Sequence, residues 1–412
     1  GQDAWPFEPR EAGPPLGRGL LLAGRRLGFG QGVGAGPSRI NDINPEDIES
    51  IEILKGAAAS SIYGSKAANG VVIITTKKGT KGQSSIKVSQ TFNREEVAFY
   101  PGLQNRFGSG TDHYIPTYIE YENQQYGPAF DGTVRQIGLP AADGSIQEVP
   151  YSATNEKKKF WEKGLTNQTD IALSTGGPRS TLYFSGQYVG VTGTTPGDKY
   201  NRASVRVNGT HSVLDNLDLT FNASYAQNRY DITTQTSNIY NYLLNVPAQI
   251  PITRYKDWRN EQFANPNYYF NAFYNNPYFM ADNYRQDNRN DYFVGSAELK
   301  YAPLSWLDLT YRAGVTTRNQ SNKNTTDIFV FNAYAKANNF GTAYKGTDIV
   351  GGVTDASSYV TRLNSDFLAN FKKTVSDFQF RLTTGFSVRQ DESKNQSASI
   401  TGLVIPGLFN LN

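Results

Sequence analysis

Few residues of this chain are of types that do covalent chemistry, and those few do not converge. There are two histidines, His113 and His211, far apart in sequence. A metal site or an activated nucleophile needs partners at a matching spacing, and none can be identified around either one. Asp112, Asp131, Asp143, Asp282 and Asp287 are scattered through polar stretches without the spacing of a calcium loop, so they read as solvated charge. The chain has no cysteine, which excludes a disulfide framework and a thiolate metal site and suits export through an oxidising compartment. Gly28 to Gly36 (GFGQGVGAG) has the glycines of a dinucleotide-binding turn, but no strand precedes it and no helix follows. A phosphate-binding loop fails too: Gly56 and Gly64 are too far apart, and Gly64-Ser65-Lys66 has Ser and Lys in the wrong order. The expectation is no catalytic residue, no metal and no cofactor.

The recognition chemistry that remains is non-covalent. Between Tyr230 and Arg289 the chain is dense in Asn and aromatics, including Tyr240, Tyr242, Trp258 and Phe263. Tyr268, Tyr269, Phe270, Phe273, Tyr274 and Tyr278 form its densest cluster. Flat rings pack against sugar rings and amides hydrogen-bond hydroxyls, and a peptide backbone would be served equally well. The alternative is that these rings form the small core of a folded loop or contact a partner.

The elements that would position such a loop are strands. Aromatics are 13% of the chain, with 26 Tyr, 23 Phe and 39 Gly, a composition of β-structure with polar loops. Mean hydropathy is −0.53, and no apolar run approaches the ~20 residues of a spanning helix. A transmembrane barrel averages out polar, because its apolar signal is hidden in alternation. That alternation is present. Leu217, Leu219, Phe221, Ala223 and Tyr225 oppose Asp218, Thr220, Asn222 and Ser224. Leu307, Leu309, Tyr311, Ala313 and Val315 oppose Asp308, Thr310, Arg312 and Thr316. Phe378, Phe380, Leu382, Phe386 and Val388 oppose Gln379, Arg381, Thr383 and Arg389. Nine strands are expected from Ser84 onward, with connections alternating between short turns and longer loops, the three longest at about 95–167, 230–289 and 319–357. A sandwich gives no reason for such parity, whereas an outer-membrane barrel has short periplasmic turns and long external loops. Asn208 and Asn222, in Asn-X-Ser/Thr sequences, fall inside strands.

Ahead of the strands lies Ile40 to Gly79, INDINPEDIESIEILKGAAASSIYGSKAANGVVIITTKKG. Asn44 is a good N-cap, Pro45 suits the first helical position, and Glu46 and Asp47 place negative charge at the positive end of one helical turn. Ser50 to Lys55 alternates as a short strand. Ala57 to Tyr63 reads as a small-residue helix ended by Gly64, Asn69-Gly70 as a turn, and Val71 to Thr76 as a buried β-branched strand. These residues resemble the end of the plug domain of TonB-dependent outer-membrane transporters. The opening Asn44-Pro45-Glu46-Asp47-Ile48-Glu49, with Gly56, Tyr63, Gly64 and the run Ala67-Ala68-Asn69-Gly70-Val71, resembles the SusC/RagA branch in particular.

The resemblance implies a mainly β fold, with a small α/β plug remnant followed by antiparallel transmembrane β-barrel strands. About nine of the ~22 strands of plugged transporters would be present, an incomplete barrel and hence an internal fragment. It also implies TonB-dependent active import, at the bacterial outer membrane, of a large nutrient. An oligosaccharide is expected first and a peptide second. The partners implied are a SusD-like surface lipoprotein, the TonB-ExbB-ExbD complex and outer-membrane lipid, with no nucleic acid. The net charge of +3 is nearly balanced and favours no polyanion. No TonB-contact segment is visible. A non-transporting surface β-protein or adhesin, and a secreted β-rich hydrolase, are the competing classes.

The expected divisions are 1–39, 40–83 as plug and 84–412 as barrel. Residues 1–39 hold ten Gly and five Pro and no Asn, Lys, Ile, Thr or Tyr. They are expected to be disordered or to arise from a misassembled reading frame.

Overall fold

The computed structural model describes residues 3–5, 43–55, 69–112, 115–339 and 343–411. Gly56, Tyr63, Gly64, Ala68, His113 and the helix expected over 57–63 lie outside them.

The plug part begins with the helical turn Pro45–Asp47, capped as its sequence predicts: Asn44 Oδ1 accepts from the Glu46 N–H at 3.0 Å. The chain runs straight from this turn into β2 (Ile48–Leu54), two residues earlier than the alternation indicates. β2 pairs antiparallel with β3 (Val71–Thr76), whose Val71, Ile73 and Ile74 are buried. Gly70 starts β3 with φ +104°, and a Cβ there would sit 2.9 Å from the Leu54 carbonyl oxygen. Only glycine fits that corner without strain. On its other edge β3 pairs with β1 (Asp3–Trp5), a strand within the segment that composition sets apart.

The rest is one meandering antiparallel sheet. β4 (Ser85–Glu95) leads into an external loop carrying two small hairpins, β5 (Gly110–Asp112) with β6 (Pro116–Tyr118), and β7 (Val134–Ile137) with β8 (Gln147–Pro150). Then come β9 (Gly164–Gly176), β10 (Ser180–Thr192), β11 (Lys199–Leu214), β12 (Leu217–Thr233), β13 (Tyr284–Leu304), β14 (Leu307–Phe329), β15 (Ile349–Val375) and β16 (Phe378–Thr401). β4 and β9 to β16 form a nine-stranded sheet in chain order, open at β4 and β16. Four tight turns, at 177–179, 215–216, 305–306 and 376–377, join the strands at one end. The long connections stand at the other end.

Register places the alternation on two distinct faces. Leu219, Leu299, Tyr311, Phe367 and Phe386 are successive cross-strand partners and form one apolar row. The neighbouring row on the opposite face is Thr220, Glu298, Arg312, Asp366 and Ser387, with Arg312 ion-paired to Glu298. Lipid outside and water inside is the arrangement this pattern satisfies.

β13 to β16 run well past the apolar band. The third loop is therefore confined to 330–348, and 319–329 and 349–357, expected as loop, are paired strand. The expectation fails there for a physical reason: beyond the membrane both faces meet water, so hydrophobic alternation stops while the hydrogen-bond ladder continues. Among the described residues, the largest apolar core is not in the wall. It is the external cluster around Phe160, Ile239, Leu243, Tyr255, Phe270 and Phe279.

Candidate functional site

Two arrangements of side chains stand out, one on the polar face of the wall at mid-strand and one among the external loops. The first seats the plug. Asn44 Nδ2 donates to Asp170 Oδ1 at 3.1 Å, and Gln187 Nε2 donates to Asn44 Oδ1 and to Asp170 Oδ1, both at 2.8 Å. Tyr183 OH donates to Asp47 Oδ1 at 3.0 Å. Asn44, Asp47, Asp170 and Gln187 are all buried. Around this centre Lys77 Nζ donates to the Glu46 carbonyl at 2.6 Å, and Lys87 pairs with Glu46 at 2.8 Å. The hydrogen bond from Lys87 holds the Glu46 carboxyl below its ordinary range. Arg206 Nη2 donates to Thr76 Oγ1 at 2.6 Å, and Asn208 Nδ2 to the Lys77 carbonyl at 2.9 Å. A buried polar cluster is stable only when each member is partnered, and this one matches plug to wall group by group. The Asn-Pro-Glu-Asp turn is thus a docking foot as well as a helix start. The strand β3 passes into β4 through Gly79, where a Cβ would lie 2.6 Å from the Leu182 backbone, so the linker lies directly on β10.

The second arrangement is external. Of the six aromatics proposed as ligand contacts, Tyr269, Phe270 and Tyr278 are 2–5% exposed and belong to the loop core. Tyr269 and Phe270 pack on Tyr255, with ring centroids at 5.0 and 5.8 Å, and Tyr278 packs on Phe160 at 4.6 Å. Rings so engaged do not present a face to a ligand, and for these three the loop-core alternative describes their place. Tyr274 stacks on Tyr242 at 4.4 Å. Phe273 is exposed and Tyr268 half-buried. Asn276 organises the segment: its Nδ2 donates to the carbonyls of Tyr255 and Ala264, and its Oδ1 caps the helix Pro277–Asn283 through the Tyr278 N–H.

Tyr268 borders a pocket at which three loops meet. Tyr121 and Pro140 come from the first loop, Tyr268 and the backbone side of Tyr269 and Phe270 from the second, and Tyr334, Asn338 and Lys345 from the third. Cross-loop hydrogen bonds hold it: Asn332 Nδ2 to Tyr268 OH at 2.8 Å, Tyr334 OH to the Pro140 carbonyl at 2.9 Å, and Tyr344 OH to the Asn271 carbonyl at 2.8 Å. Sequence reasoning missed the contributions of the first and third loops. Tyr334 lies 194 residues from Pro140, and no periodicity connects loops that far apart.

Four of the five scattered carboxylates are engaged by other side chains: Asp131 with Arg135 at 2.6 Å, Asp143 with Ser145 at 2.6 Å, Asp282 with Arg259 at 2.7 Å and Asp287 with Arg229 at 2.7 Å. Hydrogen bonds from Thr133 hold the Asp131 carboxyl down at about 2. His211 Nδ1 meets Ser180 Oγ at 2.7 Å on the strand surface.

A plug strand pair docked on the polar face of a meandering sheet, whose other face is an apolar band, defines a plugged outer-membrane β-barrel. The family model for the TonB-dependent receptor plug domain matches residues 18–71, reaching back into the segment of unusual composition. The chain is 25% identical over 381 residues to TonB-dependent receptor SusC of Bacteroides thetaiotaomicron, a match covering 86% of this chain and 33% of that protein. It is 29% identical over 199 residues to TonB-dependent receptor P39 of Formosa agariphila, covering 43% of this chain and 17% of that one. The solved structure of the RagAB peptide importer in its closed-closed state superposes with a TM-score of 0.61 at 19% identity, covering 92% of this chain and 42% of that one. The chain carries the plug domain of TonB-dependent receptors and is similar to receptors of the SusC/RagA type. These are outer-membrane proteins and not enzymes. The chain spans a third or less of the length of the two curated relatives.

Proposed function

We propose that the intact receptor imports a large nutrient across the outer membrane by TonB-dependent opening of its plug. The observation that carries this reading is the seating of the plug turn Asn44–Asp47 on the polar wall through buried hydrogen bonds. Such contacts hold a closed gate and can be exchanged for water when the plug is pulled. No bond in the substrate need change, and the work comes from the inner-membrane proton gradient through the TonB-ExbB-ExbD complex. The division between plug and barrel falls at 83/84 in this reading.

An oligosaccharide is the favoured cargo, because exposed rings and amides share the external surface. A peptide is the second reading, favoured by the likeness to a peptide importer. A SusD-like surface lipoprotein is the proposed external partner. The test is uptake of labelled oligosaccharide and labelled oligopeptide by cells carrying the intact receptor, with and without a protonophore. Protonophore-sensitive uptake of the oligosaccharide supports the reading. Uptake that ignores the proton gradient overturns it.

A further inference from the structure

Where β12 to β16 rise above the apolar band, the wall carries different chemistry on its two faces. On the face that seats the plug, one rung of cross-strand partners is Asn228, Asn290, Gln320, Ser358 and Asn395. The next rung is Tyr230, Asn288, Asn322, Ala356 and Ser397. The third is Ile232, Gln286, Asn324, Thr354 and Ser399. Eight of these fifteen side chains are Asn or Gln, and none is charged. The three rungs interleaved with them on the outer face hold eight charges in as many positions. Asp291, Lys394, Arg229 and Arg289 lie in the lower two, and Asp231, Asp287, Lys323 and Asp355 in the uppermost.

Hydration does not account for this contrast, because water accommodates charge on the outer face of the same strands. Burial accounts for part of it. Asn228, Asn288 and Asn290 are buried, where an unpaired charge is costly. Gln320, Asn322, Asn324 and Ser358 are only half-buried, and Asn395 and Ser397 are exposed, yet that side of the surface is equally free of charge. An amide offers two N–H donors and a carbonyl acceptor, and so holds a hydroxyl without needing a counter-charge. Neighbours keep these amides in place: Gln286 Nε2 donates to Asn322 Oδ1 at 3.0 Å, and Arg318 Nε, one rung nearer the plug, donates to Asn290 Oδ1 at 2.8 Å. Arg202, beside Asn228, borders the surface on β11. Many weak neutral contacts hold a chain along its length and still let it move on. We propose that this inner face is the cargo track of the receptor, and that the cargo is an uncharged oligosaccharide. Gln320 and Asn322 hydrogen-bond its hydroxyls. A peptide would bring charged termini that the track does not match. This rests on the import reading above, and adds to it the place where cargo is held and the charge of that cargo.

The test is initial uptake by cells carrying the intact receptor, measured against concentration for three labelled probes. These are a hexasaccharide of glucose, its counterpart of glucuronic acid, and a hexapeptide. The glucose probe is expected to half-saturate at a concentration about tenfold lower than the other two. Gln320→Leu with Asn322→Leu removes two amides and should raise that concentration about tenfold. Ser321→Ala, between them on the outer face, should leave it unchanged. Gln320→Glu with Asn322→Asp keeps the shape, adds charge, and should widen the preference against glucuronic acid. Unaltered heat-modifiable migration shows that each variant barrel is folded. Half-saturation that both double variants leave unchanged overturns the track and leaves the import reading standing. Preference for the glucuronic acid probe overturns the uncharged cargo, and preference for the peptide overturns the sugar. Absence of uptake of every probe overturns both readings.

Discussion

Asp198 shows how one external residue couples the loops to pH. It is 3% exposed, accepts from the Thr233 N–H at 2.8 Å and from Arg285 Nη1 at 3.0 Å, and thereby ties the β10–β11 connection to the bases of β12 and β13. Loss of hydration outweighs these bonds and pushes its carboxyl up to about 6. A folded-state value above the unfolded one, near 4, adds stability at low pH that is lost as pH rises through about 6. Asp198→Asn keeps an acceptor oxygen and removes the charge, and Arg285 retains Asp231 at 2.8 Å. The melting temperature of the unaltered receptor should therefore fall between pH 5 and pH 7.5 relative to that of the Asn variant. Parallel melting curves across that range would clear Asp198 of the role. The aromatic residues divide in a similar way. Tyr269→Ala and Tyr278→Ala remove core rings and should cost about 3–5 kcal/mol of loop stability. Phe273→Ala, at an exposed site, should stay within about 0.5 kcal/mol. Denaturant titration followed through the tryptophans distinguishes them. Composition alone could not make this division, because a ring that packs a loop and a ring that faces a ligand are the same residue type.

At the scale of elements, most of the wall was legible and its upper margin was not. Leu217 to Tyr225, Leu307 to Val315 and Phe378 to Val388 alternate because one face meets lipid, and the structure pairs all three segments in the expected order. Asn319 to Lys323 carry no alternation because neither face meets lipid, yet they pair with Asp355 to Tyr359. The docking foot was half legible. Asn44 to Asp47 announce a helix start by local rules, but the partners Asp170 and Gln187 lie 126 and 143 residues away. Local chemistry is written in neighbouring residues, and docking is written in residues brought together by the meander. The two faces of the wall make opposite predictions. Leu299→Arg places a cation on the lipid face and should destabilise the bilayer-embedded receptor by about 2–4 kcal/mol at mid-depth. Ser387→Arg places one on the polar face beside Asp366, whose carboxylate Ser387 already contacts at 2.5 Å, and should cost little. Urea unfolding in lipid vesicles measures both. Equal costs would mean that the faces have been assigned the wrong way round.

At the scale of the molecule, the described residues join the wall and the plug by a polar seam. Apolar packing would make the plug permanent, because separating it would expose greasy surface on both sides. A seam of hydrogen bonds to Asp170, Gln187 and Tyr183 is strong while dry, and water replaces it once one edge lifts. The seam therefore suits a gate that must hold without ligand and yield under pull. Asn44→Ala with Asp47→Ala removes the plug side of the buried centre and leaves Asp170 and Tyr183 each short of a partner. Each lost bond should cost about 1–3 kcal/mol of docking, with the wall strands unaltered. In planar bilayers the unaltered receptor should be electrically silent without ligand, and the double variant should show openings. Cells carrying the variant should admit antibiotics too large for ordinary porins. Gln187→Ala, made from the wall side, should act in the same direction, which separates loss of the seam from misfolding of the plug. A double variant as silent as the original would place the gate's hold elsewhere in the plug and reduce the Asn44–Asp47 foot to a turn that merely starts β2.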